Sequence, residues 1–159
     1  MNEHARAYPG RPFVGVGVVV FRQSDVLLTK RGKQPRLNSW SIPGGAQEIG
    51  ETIEEAACRE VLEETNVRIK NLGLIDVINS INHDDNNRVK FHYTLVDFVA
   101  NWKSGEIVAG DDAADARWVS LSELADYKLR PLTLNVIRSA NKFRKSSSFE
   151  LRERSNTIL

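Results

Sequence analysis

The spacing of apolar and polar positions predicts short strands interrupted by amphipathic helices. Phe13–Phe21 is rich in β-branched residues and is apolar at successive positions, which is typical of a central strand buried on both faces. Further strands are predicted at Val26–Arg31, Leu72–Ile81, Val89–Ala100 and Ala116–Val119, and helices at Ile53–Thr65, Leu121–Ala125 and Thr133–Phe143. This order of elements predicts an α+β fold, with helices packed on a mixed sheet.

Capping signals define the ends of the predicted helices. Thr52 and Glu55 have the spacing of a capping box, and Asn66 stands where a helix commonly ends in a left-handed residue. Ser120 and Glu123 have the same spacing and predict a second capping box before the short helix.

Composition places the chain among ordinary globular proteins. It has 159 residues, 41% of them apolar and 27% charged, with a net charge of +1; this favours one domain and predicts no nucleic-acid polymer as partner. The longest apolar stretch, Val14–Phe21, is too short to span a membrane, and the single cysteine requires no oxidising compartment. We therefore expect a cytoplasmic protein without a membrane partner. We expect residues 1–10 to be a flexible lead-in, 11–144 the folded domain and 145–159 a polar tail.

The helix at Ile53–Thr65 carries an acidic stripe. Glu60, Glu63 and Glu64 are spaced i, i+3 and i+4, so their side chains share one face. Such carboxylates repel one another, and ligands that are all oxygen select a hard cation such as Mg²⁺ or Mn²⁺. A solvated helix face has the same pattern, so the residues alone leave both interpretations open.

The same helical spacing predicts where the other side chains of this helix lie. Glu54 and Glu55 are first-turn charges favoured by the helix dipole. We expect Ala56 and Ala57 to leave open space beside the carboxylates, and the opposite face to turn three residues toward the core: Cys58, Val61 and Leu62.

Residues 45–67 resemble the Nudix box, a motif of glycine, glutamate and arginine at fixed spacing. The matching positions are Gly45, Glu51, Arg59, Glu60, Val61, Glu63, Glu64 and Val67. Asn66 replaces the last glycine of the box, and because both residues tolerate the left-handed conformation, we expect the helix end to survive. The resemblance extends over residues 13–140.

The resemblance implies a fold, a reaction and a set of site residues. Nudix proteins have an α/β/α sandwich around a mixed sheet and cleave nucleoside diphosphates linked to another group, with a divalent metal, Mg²⁺ or Mn²⁺. By position, the metal ligands would be Glu60, Glu63, Glu64 and the Gly45 carbonyl. Arg59 would orient the carboxylates, and Glu51 would support the metal site.

Two roles are left open by the resemblance. The general base is a box residue such as Glu63 or an acid on a later loop, for which the candidates are Glu106, Asp111 and Asp112. Substrate phosphates are expected to meet basic residues before the box, with Arg31, Lys33 and Asp112 as the predicted substrate-binding residues.

The substrate itself is predicted only as a class. The chain resembles small Nudix proteins of the ADP-ribose pyrophosphatase kind, which favours a small nucleotide derivative of the ADP-ribose or nucleotide-sugar type. The box is intact, which indicates attack of water at phosphorus. The rival activity is cleavage of damaged nucleoside triphosphates, and a rival class is a binding module without catalysis. Many Nudix proteins are homodimers, but the sequence does not decide the oligomeric state.

Overall fold

The fold was analysed in a computed structural model that describes residues 6–33, 36–110 and 112–146. The strands are β1 (Phe13–Arg22), β2 (Asp25–Arg31), β3 (Trp40–Ser41), β4 (Gly44–Ala46), β5 (Arg68–His83), β6 (Val89–Ser104) and β7 (Ala113–Ser120). The helices are α1 (Ile53–Thr65), a 3-10 helix (Leu121–Tyr127) and α2 (Pro131–Arg144).

The strands form one mixed sheet in which β1 is central. The strand order is β3-β2-β1-β6-β5, with β4 added alongside β1 and β7 alongside β2. β1 runs parallel to β6, in a register that pairs Phe13 with Tyr93 and Phe21 with Asn101, and antiparallel to β2 and β4. β5 and β6 form a long antiparallel hairpin.

Two apolar cores lie on opposite faces of this sheet. On one face Val16, Val18 and Val20 of β1 pack with α1. On the other face Val19 and Phe21 pack with α2 and the 3-10 helix. Because successive strand residues alternate between faces, a strand that is apolar at both sets of positions must be covered on both sides. The predicted central strand and the predicted α/β/α sandwich are confirmed.

Helix α1 begins and ends where its capping signals predict. The Thr52 hydroxyl accepts from the Glu55 backbone N–H at 3.1 Å, and the Glu55 carboxylate accepts from the Thr52 N–H at 2.7 Å. At the other end Asn66 is left-handed, with φ 61° and ψ 12°, and its N–H reaches the Leu62 carbonyl. These contacts satisfy backbone groups that a helix otherwise leaves unpaired.

The orientation of α1 differs from the prediction by a small rotation. Ala56 and Ala57 are fully buried in the core instead of leaving space beside the carboxylates, and Cys58 is exposed instead of facing the core. The small alanines let α1 lie close to the sheet. As a result Glu60 and Glu64 sit at the border of the buried face, and only Glu63 of the acidic stripe is exposed.

Other elements differ from the predictions at their ends. The predicted second capping box is wrong: the Ser120 hydroxyl accepts from the Ser122 N–H, and the element that follows is a 3-10 helix. Helix α2 begins at Pro131, earlier than the predicted Thr133, since proline is tolerated in the first turn. β5 and β6 extend beyond the predicted runs into polar residues.

The lead-in and the tail are described only in part. Tyr8 lies against the β5–β6 hairpin, where its N–H donates to the Lys90 carbonyl at 2.8 Å and its hydroxyl to Asp84 at 3.0 Å. Residues 1–5 and 147–159 lie outside the described residues, so the division of the chain into lead-in, domain and tail stays a prediction. No helix within 6–33, 36–110 or 112–146 is long and apolar enough to cross a membrane.

Candidate active site

The acidic stripe of α1 lies against strand β4. A Cβ atom built on Gly45 would stand 2.3 Å from Oε1 of Glu60, so the carboxylate fills the space that any larger residue would occupy. One turn further along α1, the Glu64 carboxylate accepts from the Gly44 N–H at 3.2 Å. The glycines of β4 therefore let two carboxylates lie close to the backbone, and a larger residue at Gly45 would require the Glu60 side chain to shift.

Arg59 connects the acidic groups from the other side. Its guanidinium donates two hydrogen bonds to Glu51, of 2.7 and 3.0 Å, and one to the Ala46 carbonyl at 3.0 Å. It also donates to Glu60 at 2.9 Å and to Glu63 at 3.1 Å. A planar guanidinium with a fork of donors suits this task, since it fixes several carboxylate planes at once. The orienting role of Arg59 stays a prediction, and these are the contacts through which it would act.

The carboxylates of this cluster have distinct electrostatic environments. The hydrogen bonds from Arg59 and from the Glu48 N–H lower the pKa of Glu51 to about 2. Burial raises the pKa of Glu64 to about 7 against the opposing effect of the Gly44 N–H, and it also raises the pKa of Glu60. The side chain of Glu63 is 60% exposed, and its carboxylate accepts a hydrogen bond from Arg59. Glu51 is thus held as an anion, whereas burial makes the ionised forms of Glu60 and Glu64 less favourable.

The donor set fits a hard divalent cation. Every side-chain candidate is a carboxylate, and oxygen ligands are those that Mg²⁺ and Mn²⁺ prefer. Glu60 is seated on the residue whose carbonyl is the further predicted ligand, Gly45. Within the described residues the acids do not converge on one preformed point, because Glu51, Glu60 and Glu63 are directed at Arg59.

A later loop packs beside the C-terminal half of α1. The Gly110 N–H donates to the Glu64 carbonyl at 3.0 Å, and the Val108 N–H to the Thr65 carbonyl at 3.1 Å. A Cβ on Gly110 would stand 1.8 Å from the Glu63 carbonyl oxygen, so only glycine allows this approach. The loop brings Asp112 close to Glu64.

The three predicted substrate-binding residues lie together at this loop. The Lys33 ammonium is paired with the Asp112 carboxylate, and the Asp112 carbonyl accepts from the Gly32 N–H at 3.0 Å. Asp112 raises and Arg31 lowers the pKa of Glu64, which places both charges near that side chain. Arg31, Lys33 and Asp112 therefore border the acidic cluster on the side of β2.

The general-base candidates are placed differently. Glu63 lies within the cluster, and Asp112 at its border. Glu106 lies at the C-terminal end of α1, where its carbonyl accepts from the Asn66 side chain at 3.1 Å. Asp111 lies outside the described residues.

Several residues of the site carried no prediction. The Ala46 carbonyl and the Gly44 N–H act through their backbone, and so their side chains give no signal in the sequence. Gly110 is a lone glycine in a loop, and its close approach to α1 depends on how distant segments pack. A cleft near β3 was also not predicted; it lies between the segment before that strand and the end of the 3-10 helix, and is lined by Lys30, Leu37, Asn38, Ser39, Trp40, Asp126, Tyr127 and Lys128.

Comparison with known proteins was made for sequence and for structure. A family model described as NUDIX domain matches residues 11–140. The chain is 35% identical over 113 residues to a protein named ADP-ribose pyrophosphatase from Methanocaldococcus jannaschii, a match that covers 71% of this chain and 64% of that protein. The chain thus spans less than two thirds of the length of the curated relatives it matches.

Solved structures share the fold. A MutT NUDIX hydrolase from Burkholderia pseudomallei superposes with a TM-score of 0.67 at 28% identity, over 81% of this chain and 98% of that chain. A bifunctional NMN adenylyltransferase/ADP ribose pyrophosphatase from Francisella tularensis, complexed with AMP and Mn ion, superposes with a TM-score of 0.62 at 30% identity. That match covers 80% of this chain and 40% of the other.

Proposed function

Because the chain belongs to the NUDIX family, we propose that it is a divalent-metal-dependent hydrolase of diphosphate bonds. Its substrate is a nucleoside diphosphate linked to another group, of the ADP-ribose or nucleotide-sugar type, and water attacks at phosphorus. The relative named ADP-ribose pyrophosphatase and the structure complexed with AMP and Mn ion support this substrate class.

One observation carries the proposal: carboxylates of α1 pack against the glycines of strand β4 and are bridged by one arginine. Glu60 lies over Gly45, and Arg59 bridges Glu51, Glu60 and Glu63. An acidic helix that served only for solubility would not need a partly buried glutamate packed on a glycine or a guanidinium that donates five hydrogen bonds. These contacts support the proposal that the cluster supplies oxygen ligands to a cation.

The residues of this chain have separate tasks in the proposed reaction. Glu60, Glu63, Glu64 and the Gly45 carbonyl would hold Mg²⁺ or Mn²⁺, which supplies charge stabilisation on the diphosphate oxygens and an activated water. Arg59 keeps the carboxylate planes in place, and its own position is fixed by Glu51 and the Ala46 carbonyl.

Proton transfer and phosphate binding fall to the exposed members. Glu63 is exposed and accepts a hydrogen bond of 3.1 Å from Arg59, so its carboxylate stays accessible to water and would accept a proton from it. Arg31 and Lys33 border the cluster and supply positive charge for the phosphates that lie beyond the metal. Asp112, paired with Lys33, sets the position of that lysine.

A substrate screen tests the proposal. Purified protein is given ADP-ribose, nucleotide sugars, dinucleoside polyphosphates and oxidised nucleoside triphosphates, with Mg²⁺ or Mn²⁺ and with EDTA as the metal-free control. Turnover of a diphosphate-linked substrate that EDTA abolishes is expected. Running the reaction in ¹⁸O-water identifies the attacked phosphorus from the labelled product.

Two variants make the screen specific to the site. Glu60→Gln removes a partly buried carboxylate of the cluster and is expected to lower kcat roughly 100-fold or more. Glu54→Gln, on the exposed first turn of the same helix, is the matched control and is expected to keep kcat. Preference for nucleoside triphosphates would favour the rival activity, and nucleotide binding without any turnover would contradict catalysis and favour a binding module.

Location and assembly stay predictions of the sequence. We expect a cytoplasmic protein whose partner is a nucleotide-derived small molecule, without nucleic-acid polymer or membrane. Many members of the family are homodimers, the sequence leaves the oligomeric state open, and sedimentation equilibrium determines it.

A further inference from the structure

The cleft near β3 lies on the α2 side of the sheet and has no part in the proposed reaction. It has a volume of about 600 Å³, which is within the range of small-molecule sites. Trp40 and Tyr127, which line it, pack against the core shared with α2. Helix α1, which bears the acidic cluster, packs against the core of the opposite face. The cleft is therefore separate from the acidic cluster.

Two lysines of the cleft have no anionic partner. Within residues 6–33, 36–110 and 112–146, no carboxylate forms an ion pair with Lys30 or Lys128. Asp115, which pairs with Lys30 across β2 and β7, is bound instead to Arg117 at 2.7 Å. The lining contains one acid, Asp126, against the two lysines. The walls of the cleft thus carry positive charge that an anion would neutralise.

Two arginines beside the cleft add to this charge. Arg36 precedes Leu37 of the lining, and Arg130 follows Lys128 by two residues. Burial lowers the pKa of Arg130, and the nearby charge of Arg36 lowers it further. In the part of the chain that the structure describes, neither guanidinium has a carboxylate partner. Like charges repel one another, so a bound anion is favoured, and lysine and arginine both suit phosphate oxygens.

An aromatic wall faces the same space. The rings of Trp40 and Tyr127 are 5.1 Å apart and meet edge to face at 83°. The guanidinium carbon of Arg117 lies 5.4 Å from the centre of the Trp40 ring. These contacts hold the two rings in place. Because the faces of aromatic rings carry partial negative charge, they attract the positively polarised C–H groups of a sugar ring, and so the wall favours a ring-bearing ligand over a bare anion.

The remaining polar groups of the lining indicate what such a ligand must carry. Asn38 and Asp126 are both exposed. The amide of Asn38 donates and accepts hydrogen bonds, whereas the carboxylate of Asp126 only accepts them. A phosphate group would be repelled by Asp126, but hydroxyl groups would donate to it. The lining therefore suits a ligand with a phosphate at one end and hydroxyl groups at the other.

We propose that this cleft is a second binding site, and that its ligand is a sugar phosphate. Lys30 and Lys128 hold the phosphate, and the sugar ring packs against Trp40. Asn38 and Asp126 bind the sugar hydroxyls. A free sugar phosphate and the sugar-phosphate part of a nucleotide share this chemistry. The site does not depend on the proposed function.

Metal-free calorimetry tests the site. The whole protein, in phosphate-free buffer with EDTA, is titrated with ribose 5-phosphate, glucose 1-phosphate and AMP, and with ribose and inorganic phosphate as controls. Sugar phosphates are expected to bind roughly 10-fold or more tightly than inorganic phosphate, because the hydroxyls add hydrogen bonds to a charged group. Binding of the free sugar phosphates, or of AMP alone, identifies which source is used. Absence of binding, or inorganic phosphate binding equally well, overturns the proposal.

Three variants locate the bound sugar phosphate. Lys128→Met removes one charge of the cleft and is expected to weaken binding roughly 10-fold or more without lowering the Tm. Lys142→Met removes an exposed lysine of α2 outside the lining and is the matched control, expected to bind as the wild type does. Glu60→Gln is also expected to bind normally. Unchanged affinity in Lys128→Met, equal losses in both lysine variants, or a loss in Glu60→Gln contradicts the assignment.

Tryptophan fluorescence reports contact with the aromatic wall. Ribose 5-phosphate or AMP, whichever binds, is expected to change the fluorescence of the wild type. Trp40→Phe keeps a ring but removes the indole, and is expected to lose this change, whereas Trp102→Phe, outside the lining, keeps it. A change that persists in Trp40→Phe overturns the proposal. No turnover is measured, so a protein that hydrolyses nothing can still confirm the site, and an active protein that binds no sugar phosphate without metal contradicts this inference alone.

Discussion

The contact between Gly45 and Glu60 permits a steric test of the acidic cluster that leaves every charge in place. A methyl group on Gly45 would lie 2.3 Å from Oε1 of Glu60 and 2.4 Å from its Cδ. To bring the 2.3 Å contact out to 3.0 Å, the carboxylate must withdraw by about 0.7 Å. Misplacement of a catalytic group on the scale of 1 Å costs roughly 100-fold in rate, so Gly45→Ala is expected to lower kcat by about that factor.

The assay is steady-state hydrolysis of the best diphosphate-linked substrate during a titration with Mg²⁺, beside a thermal melt. Gly10→Ala adds the same methyl group where no atom lies within 4 Å, and is the control. Combining Gly45→Ala with Glu60→Asp shortens the acid by one carbon–carbon bond, about 1.5 Å, and is expected to recover part of kcat. Unchanged kcat and unchanged Mg²⁺ dependence in Gly45→Ala would refute the reasoning, since Glu60 would then be remote from the reacting centre.

Three further predictions concern α1 and its surroundings. Glu63→Gln is expected to lower kcat by roughly 100-fold or more with little change in Tm, because the side chain is exposed and acts on developing charge; kinetics and a melt measure both. Asn66→Gly is expected to be nearly neutral and Asn66→Ala to lose about 1 kcal/mol in urea unfolding, because the position is left-handed. The lowered pKa of Glu51 means that the unfolded chain binds its proton first as the pH falls, so wild-type stability declines from about pH 4.5 toward about pH 2 more steeply than that of Glu51→Gln in acid titrations.

Each of these has a result that would contradict it. Wild-type kcat in Glu63→Gln would remove that residue from the list of metal ligands. Equal stability of the glycine and alanine variants of Asn66 would mean that the left-handed end of α1 costs nothing. Parallel acid titrations of the two Glu51 forms would show that the Arg59 contact leaves the acid titration of folding unchanged.

Local chemistry explains which parts of the fold were predictable. The ends of α1 follow from Thr52, Glu55 and Asn66, whose capping contacts are made with near neighbours in the chain. The central strand β1 follows from apolar residues on both of its faces. By contrast, Ser120 and Glu123 have the spacing of a capping box without forming one, because the chain there tightens into a 3-10 helix. Strand β4 is built of glycine and alanine, whose side chains give no periodic signal.

The residue types of the site were predictable, but the burial of its glutamates was not. Spacing placed Glu60, Glu63 and Glu64 on one stripe, yet it could not show that burial of Ala56 and Ala57 turns α1 so that two of the glutamates face the sheet. That rotation depends on close packing against β1, which is a property of distant segments. The Ala46 carbonyl and the Gly44 N–H, which bond to Arg59 and Glu64, were missed for the same reason, since the packing of α1 on β4 decides those contacts.

The parallel pairing of β1 with β6 affects the order in which contacts form during folding. Phe13 pairs with Tyr93, so α1 and the whole of β5 lie in the chain between the two partners. Contacts that close so long a loop form late, because the loop entropy is lost before the pairing repays it. During synthesis β1 and α1 therefore leave the ribosome before the strand that completes their common core, and a nascent chain that stops short of β6 exposes the apolar residues of both.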